Sequence, residues 1–294
     1  MPSTRADRVR ETAVDLDDVT LHVREAGPPD GDPLLLVHGW PQHSGCWRRV
    51  ASLLDDRYRC VMPDLRGHGG SSATKDGYEK QRLAQDMLGL LDVLQLERVG
   101  YVGHDWGGLI GFLLALRSPE RITGLLALSI PHPWPSWHDR LNPWRLTAFA
   151  YQLPLSAPVV GERLMRAGLT RLVLRSAPEG TFTPEDIASY DDAMSTPDGA
   201  RVTVAMYRTF LLRELGPLAA GFGTDRPLTV PTRLLIGERD PIARGADLAG
   251  FESHAREMVV ERVPGAGHFL PEERPELVAE RARELFNTSH SVPA

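Results

Sequence analysis

The sequence predicts an α/β fold: a mostly parallel central sheet, helices on both faces, and a helical segment inserted late in the sheet. Three observations carry this. Short continuous apolar runs, such as Leu34 to His38 (LLLVH), Gly124 to Ile130 (GLLALSI) and Arg233 to Gly237 (RLLIG), read as strands buried on both faces. Amphipathic helical stretches separate them, as in βαβ units. The texture then breaks at Pro131, where PHPWPSWHDRLNPWR opens a region with no buried-strand run before Arg233.

In chain order, residues 1 to about 12 read as a loose tail. Val19 to Glu25 (VTLHVRE) alternates apolar and polar residues, as an edge strand does. Gly27 to Pro33 is a turn rich in Gly, Pro and Asp. Trp47 to Leu54 reads as a helix, Arg59 to Met62 as a strand and Gln81 to Leu94 as an amphipathic helix. Val99 to Val102 is a strand, and a helix follows over Leu109 to Leu116. Helical segments are expected near 144 to 175 and 198 to 214. After Gly250 come a helix, a strand (Met258 to Val263) and a final helix from Pro275 to Phe286. The expected division is a core of residues 1–130 and 229–294 and a helical cap of residues 131–228. The cap would lie over the carboxyl ends of the strands, where open α/β sheets bind ligands.

Composition narrows the function. The 294 residues suffice for one large domain or for a core with a lid. A net charge of −6 and the lack of any Lys/Arg run argue against a nucleic-acid partner. Cys46 and Cys60 fit neither a disulfide framework nor a metal pair, so they read as reduced thiols of a cytoplasmic protein. The opening MPSTRADRVRETAVDLDD has no apolar signal region, and the longest apolar run is too short to span a bilayer. No membrane insertion is expected. The stretch Arg66-Gly67-His68-Gly69-Gly70-Ser71 matches neither phosphate-loop pattern and reads as a tight structural turn beside the site.

The chemistry centres on Val99 to Ile110 (VGYVGHDWGGLI). A strand, a sharp turn and a helix place one reactive residue at the apex. Gly103, Gly107 and Gly108 stand where the strand and helix backbones nearly touch. The apex is Asp105, where G-x-S-x-G would carry Ser. A carboxylate, with a pKa of about 3.9 in water, is an anion without help from a base. That suits attack on an sp³ carbon and leaves an ester on the protein. An Asp here could instead simply cap the helix that starts at Trp106.

An ester must be hydrolysed, which needs a general base for water and a group to orient that base. The chain order nucleophile, acid, His selects His268, in Gly265-Ala266-Gly267-His268-Phe269, and Asp240, in Gly237-Glu238-Arg239-Asp240-Pro241. Asp240 is preferred to Glu238 because it lies further along the loop and precedes Pro241, which fixes the turn. The strand ending at Ser129 offers no carboxylate until Asp139. The oxyanion of ester hydrolysis needs two backbone donors. These are assigned to Trp106 and to Trp40, in His38-Gly39-Trp40-Pro41.

Together, His38-Gly39-Trp40-Pro41, Gly103-His104-Asp105-Trp106-Gly107-Gly108, Asp240, His268 and the Arg66–Ser71 turn resemble those of an α/β-hydrolase-fold epoxide hydrolase. The resemblance covers the whole chain except its ends. It implies two cap tyrosines that hydrogen-bond the epoxide oxygen, at Tyr151 (in Tyr151-Gln152-Leu153) and Tyr207 (in Met206-Tyr207-Arg208). An un-ionised phenol, with pKa near 10, can donate to the alkoxide that ring opening creates. Tyr207 shares a helix face with Val204 and Leu211, so packing alone would also explain it. Pro154 stands after Tyr151 where such proteins more often have an aromatic residue. His38, His104, Trp134 and Phe149 are expected to line the pocket, with Trp137 and Trp144 adding apolar surface.

The implied reaction takes a small hydrophobic epoxide and water to a diol, with no cofactor and no metal. A homodimer is compatible with the sequence. A haloalkane dehalogenase would use the same Asp, His and Asp, with Trp106 gripping halide, but this chain has Trp40 where the second donor, often Asn, would stand. Fluoroacetate-type dehalogenases resemble H-D-R-G-G, and Trp106 takes the place of that Arg. A ligand sensor on the same scaffold would keep the pocket and could lose a catalytic member, yet all three triad candidates are present.

Overall fold

The computed structural model describes residues 9–134, 150–220, 226–242 and 248–288. Their strands are β1 (Arg10–Asp15), β2 (Thr20–Ala26), β3 (Asp32–Val37), β4 (Tyr58–Pro63), β5 (Val99–His104), β6 (Ile122–Leu128), β7 (Thr232–Gly237) and β8 (Met258–Val263). They form one sheet in the order β1–β2–β4–β3–β5–β6–β7–β8. β1, β2 and β4 pair antiparallel, and every pairing from β4–β3 to β7–β8 is parallel. The apolar runs are the central strands, and β5 is buried at every position.

The two-residue period of a strand sends β3 side chains to opposite faces. Leu35 and Val37 join an apolar cluster with α2 (Lys80–Val93) and α3 (Trp106–Arg117). Leu34 and Leu36 join another with α1 (Arg48–Leu54) and the final helix, Pro275–Thr288. Helices therefore cover both faces, as the sequence predicts. Every residue of α3 from Trp106 to Leu116 is buried, which is why its sequence is apolar all round.

Three expectations are corrected. β1 takes up part of the expected tail, and β2 is not an edge: β1 pairs with it from Arg10↔Glu25 to Asp15↔Thr20. Only Val14 of β1 is buried, so this strand is held by its hydrogen-bond ladder and leaves no hydrophobic pattern to read. After Gly250 there is a turn and no helix. His254 and Ala255 N–H groups both donate to the Phe251 carbonyl, and Ala255 bridges to Leu228, so the chain runs straight on into β8. Between the two helical segments expected around 175 and 198 lies an unforeseen helix, Pro184–Met194. Its sequence is polar, but Thr183 and Asp186 cap its start reciprocally, a signal present in the sequence as Thr183-Pro184-Glu185-Asp186.

Between β6 and β7 the described helices are α4 (Gln152–Ser156), α5 (Pro158–Arg166), α6 (Leu169–Leu174), α7 (Pro184–Met194), α8 (Pro197–Thr209) and α9 (Leu215–Ala219). α8 continues into a π-helical turn, Phe210–Glu214. Leu155, Met165, Met194, Val202, Met206, Tyr207 and Phe210 from these elements pack on Trp40, Trp106 and Leu109 at the ends of β3 and β5. The Arg66–Ser71 turn is structural, as read: fully buried Arg66 holds both Asp86 oxygens at 2.6 Å and reaches Asp18. No described helix is long and apolar enough to cross a membrane.

Candidate active site

β5 ends at His104 and α3 begins at Trp106, leaving Asp105 at the corner with φ 52° and ψ −119°. Positive φ is strained for any residue with a Cβ, so surrounding contacts must impose it. Asp105 N–H donates to the Leu128 carbonyl at 3.0 Å, and the Tyr101 hydroxyl donates to the Gly107 carbonyl at 2.9 Å. Strand and helix approach so closely that a Cβ on Gly103 would strike the Gly107 carbonyl, and one on Gly107 would strike that of Val37.

The Asp105 side chain makes no capping bond to α3, which sets aside the simple helix-cap alternative. Its Oδ1 accepts the Trp40 backbone N–H at 3.0 Å. Its Oδ2 lies 3.7 Å from His268 Nε2. Burial pushes its pKa up, against the opposing pull of His268 and of the Trp106 and Trp40 N–H groups. Gly39 permits this approach, since a Cβ there would collide with the Asp105 carboxylate.

His268 is held from behind. Its Nδ1 lies 3.0 Å from Oδ2 of fully buried Asp240, whose Oδ1 accepts the Ile242 N–H at 2.8 Å. A carboxylate can only accept, so Nδ1 carries the proton. Burial disfavours charge on the imidazole, but Asp240 and then Asp105 outweigh it and lift the pKa to about 9. Asp240 behind the ring and Asp105 before it both favour the charged imidazole. A cleft of about 260 Å³, lined in part by Pro178, Arg239, Ile242 and Phe269, reaches His268 from the side.

Tyr207 is fully buried, with its ring edge-on to Trp40 (5.4 Å), Trp106 (5.7 Å) and Tyr151 (6.0 Å). The two phenols lie side by side, and burial, followed by neighbouring charge, raises both pKa values, so both stay protonated. Asp105 is among the groups acting on each. Pro154 falls in the first turn of α4, where no backbone N–H is required, so it leaves Tyr151 in place.

Three residues expected to line the pocket do not. His38 is fully buried: Nε2 accepts the Leu65 N–H at 2.9 Å, so Nδ1 donates to the Gly39 carbonyl at 3.0 Å. Burial lowers its pKa to about 4, and the neutral ring pins the Gly39–Trp40 turn to the exit of β4. His104 is also fully buried, and its Nε2 donates to the His268 carbonyl at 2.8 Å, supporting the loop of the base from beneath. Trp134 stacks on His254 and packs against Phe112, in the cluster beneath α2 and α3. Phe149 lies outside the described residues, as do Trp137 and Trp144. The sequence reading passed over Lys80, which is buried against the outer face of the Trp106 ring at 4.3 Å.

Comparison with known proteins gives the family. Residues 32–275 match the α/β hydrolase fold family. The AB hydrolase superfamily protein YfhM of Bacillus subtilis is 30% identical, the match covering 92% of this chain and 96% of that one. The soluble epoxide hydrolase of a Corynebacterium species is 31% identical over 90% of this chain and 93% of its own. The crystal structure of epoxide hydrolase A from Mycobacterium thermoresistibile superposes with a TM-score of 0.83 at 26% identity, covering 95% of this chain and 98% of that one. The chain is an epoxide-hydrolase-like member of the α/β-hydrolase fold family.

Proposed function

We propose that this protein opens a small hydrophobic epoxide to a vicinal diol through an ester on Asp105. The observation that carries the reading is the setting of Asp105: one oxygen held by the Trp40 N–H, the other facing His268, with two protonated phenols in the same cluster. In the first step Asp105 Oδ2 attacks a ring carbon and the C–O bond breaks toward the epoxide oxygen. Tyr151 and Tyr207 hydrogen-bond that oxygen as it becomes an alkoxide. The product is a hydroxyalkyl ester, so the alkoxide must gain a proton.

The charge state of the site supplies that proton. Esterification removes the negative charge of Asp105, one of the two anions that keep His268 protonated. His268 then becomes the more ready donor, and its proton reaches the alkoxide through the phenols. The neutral imidazole left behind is the base the second step needs. It takes a proton from water, hydroxide adds to the ester carbonyl, and the Trp40 and Trp106 N–H groups hold the oxyanion. Collapse expels the diol and restores the carboxylate and imidazolium. No proton is gained or lost over the cycle. The described helices between β6 and β7 act as the cap that brings the phenols over the nucleophile and shuts out bulk water.

The dehalogenase alternative draws on one observation. The Trp106 indole N–H is turned toward the Tyr207 hydroxyl but makes no close hydrogen bond among the described residues. A halide grip of this kind needs a second side-chain donor, and the Trp40 indole N–H is engaged by Thr203 Oγ1 at 3.1 Å. Two phenols also have no task in halide release. A direct test is Tyr207→Phe with styrene oxide. Ring opening is expected to slow by about 10–10²-fold, with ester hydrolysis and thermal stability unchanged. Unchanged turnover would remove Tyr207 from the reaction, and bromide release from a bromoalkane would favour the alternative.

A further inference from the structure

Lys80 is a charged residue in register with the apolar stripe of α2, three, four and seven residues before Leu83, Ala84 and Met87, all buried. Its side chain is 1% exposed. The ammonium lies 4.3 Å from the centre of the Trp106 ring and 5.2 Å from that of Phe210. It donates to the Met206 carbonyl at 3.2 Å and to Glu214 Oε2 at 3.1 Å. Glu214 Oε1 in turn accepts the Lys80 backbone N–H at 2.6 Å.

Stability alone is a poor reason for this arrangement. Desolvating an ammonium costs several kcal/mol, and apolar replacement of a buried ion pair is often neutral or stabilising. What the pair does provide is fixed geometry at the two structures that matter for ring opening. Trp106 follows Asp105 directly at the start of α3, and its ring abuts Tyr207 edge-on. Met206 is the residue before Tyr207 on α8. The ammonium touches both, over the ring face where a cation is attracted by the π system. The π-helical turn Phe210–Glu214 follows directly, and such turns collect at functional positions. It brings Phe210 and Glu214 to the same cation.

We infer that Lys80, clamped by Glu214, is a positioning residue that fastens the Tyr207-bearing helix to the Trp106 corner, so that the phenol meets the epoxide oxygen where Asp105 attacks. This rests on the ring-opening role proposed for Tyr207. Lys80 touches neither His268 nor Asp240, and it meets Trp106 at the ring rather than at the backbone N–H proposed to serve ester hydrolysis, so its influence should fall on ring opening far more than on ester decay. A residue that merely holds the fold together would not make that distinction.

The test is single-turnover kinetics of the full chain with styrene oxide, following ester formation and ester decay separately by rapid quench and intact mass. Lys80→Met is expected to slow ester formation about tenfold or more, the scale of a misplacement of about 1 Å, and to leave ester decay within about twofold. Glu214→Ala, which keeps Lys80 but frees it, should give the same split and decides the matter if Lys80→Met does not fold. Equal slowing of both steps, or of neither, overturns the inference. Tyr207→Phe is run beside them: if it forms ester at the wild-type rate, the phenol assignment itself is wrong. If it is slow while the Lys80 and Glu214 variants match wild type, the clamp alone is refuted.

Discussion

His268→Gln is expected to form the ester and then stop. Gln fills much of the same space and its amide N–H can still reach Asp240 Oδ2, so the loop after β8 should survive. What is lost is the group that prepares water. Loss of a general base costs roughly 10²–10⁴-fold, and here it falls on the second step, because Asp105 is an anion before any base acts. Attack on the epoxide should therefore proceed, slowed only by the missing proton source. Intact mass spectrometry after mixing with excess styrene oxide should show one adduct per chain. Tandem mass spectrometry should place it on Asp105. A variant that neither turns over nor gains mass would deny His268 this part in the reaction.

Asp105→Asn is expected to abolish both steps. The side chain keeps its shape and can still accept the Trp40 N–H, but the amide oxygen is a poor nucleophile and carries no charge. Removing the nucleophile of a comparable constellation costs roughly 10⁴-fold or more, and no ester should appear at any time. The variant also alters the neighbouring imidazole. Burial then works on His268 with one supporting carboxylate fewer, so its pKa should fall below the level of about 9 that Asp240 and Asp105 together sustain. NMR titration of His268 in both proteins would read this. Full activity, with deamidation excluded by mass, would refute the assignment of the nucleophile.

The parts of the molecule most legible in the sequence are those where sterics or chain order leave few choices. Gly103 and Gly107 mark a strand and helix in contact, and the structure places colliding carbonyls where their side chains would be. Asp240 and His268 followed from their order after β7 and β8, and the structure brings them together at 3.0 Å, with Asp105 beyond. Apolar runs mark β3, β5, β6 and β7 because both faces are buried. β1 escaped because a polar edge strand has no such pattern.

The pocket residues were less readable. His38, His104 and Trp134 are chemically able to face a substrate, and only the structure shows that each is turned inward to a backbone partner or a packing neighbour. Tyr151 and Tyr207 were placed by resemblance rather than by spacing, since a tyrosine on an apolar helix face is ordinary packing. Lys80 had a faint signal, a charge in step with a buried stripe. Its partner Glu214 had none, because its position depends on a π-helical turn that periodicity does not announce.

The proposed reaction requires covalent attachment of substrate to Asp105. A single turnover with enzyme in excess over styrene oxide, in ¹⁸O-water, tests this most directly. The diol formed should carry no ¹⁸O, its new oxygen having come from the Asp105 carboxylate, and the Asp105 peptide should gain one ¹⁸O. Diol labelled in that first turnover, with Asp105 unlabelled, would mean that water attacks the epoxide itself and would contradict the account.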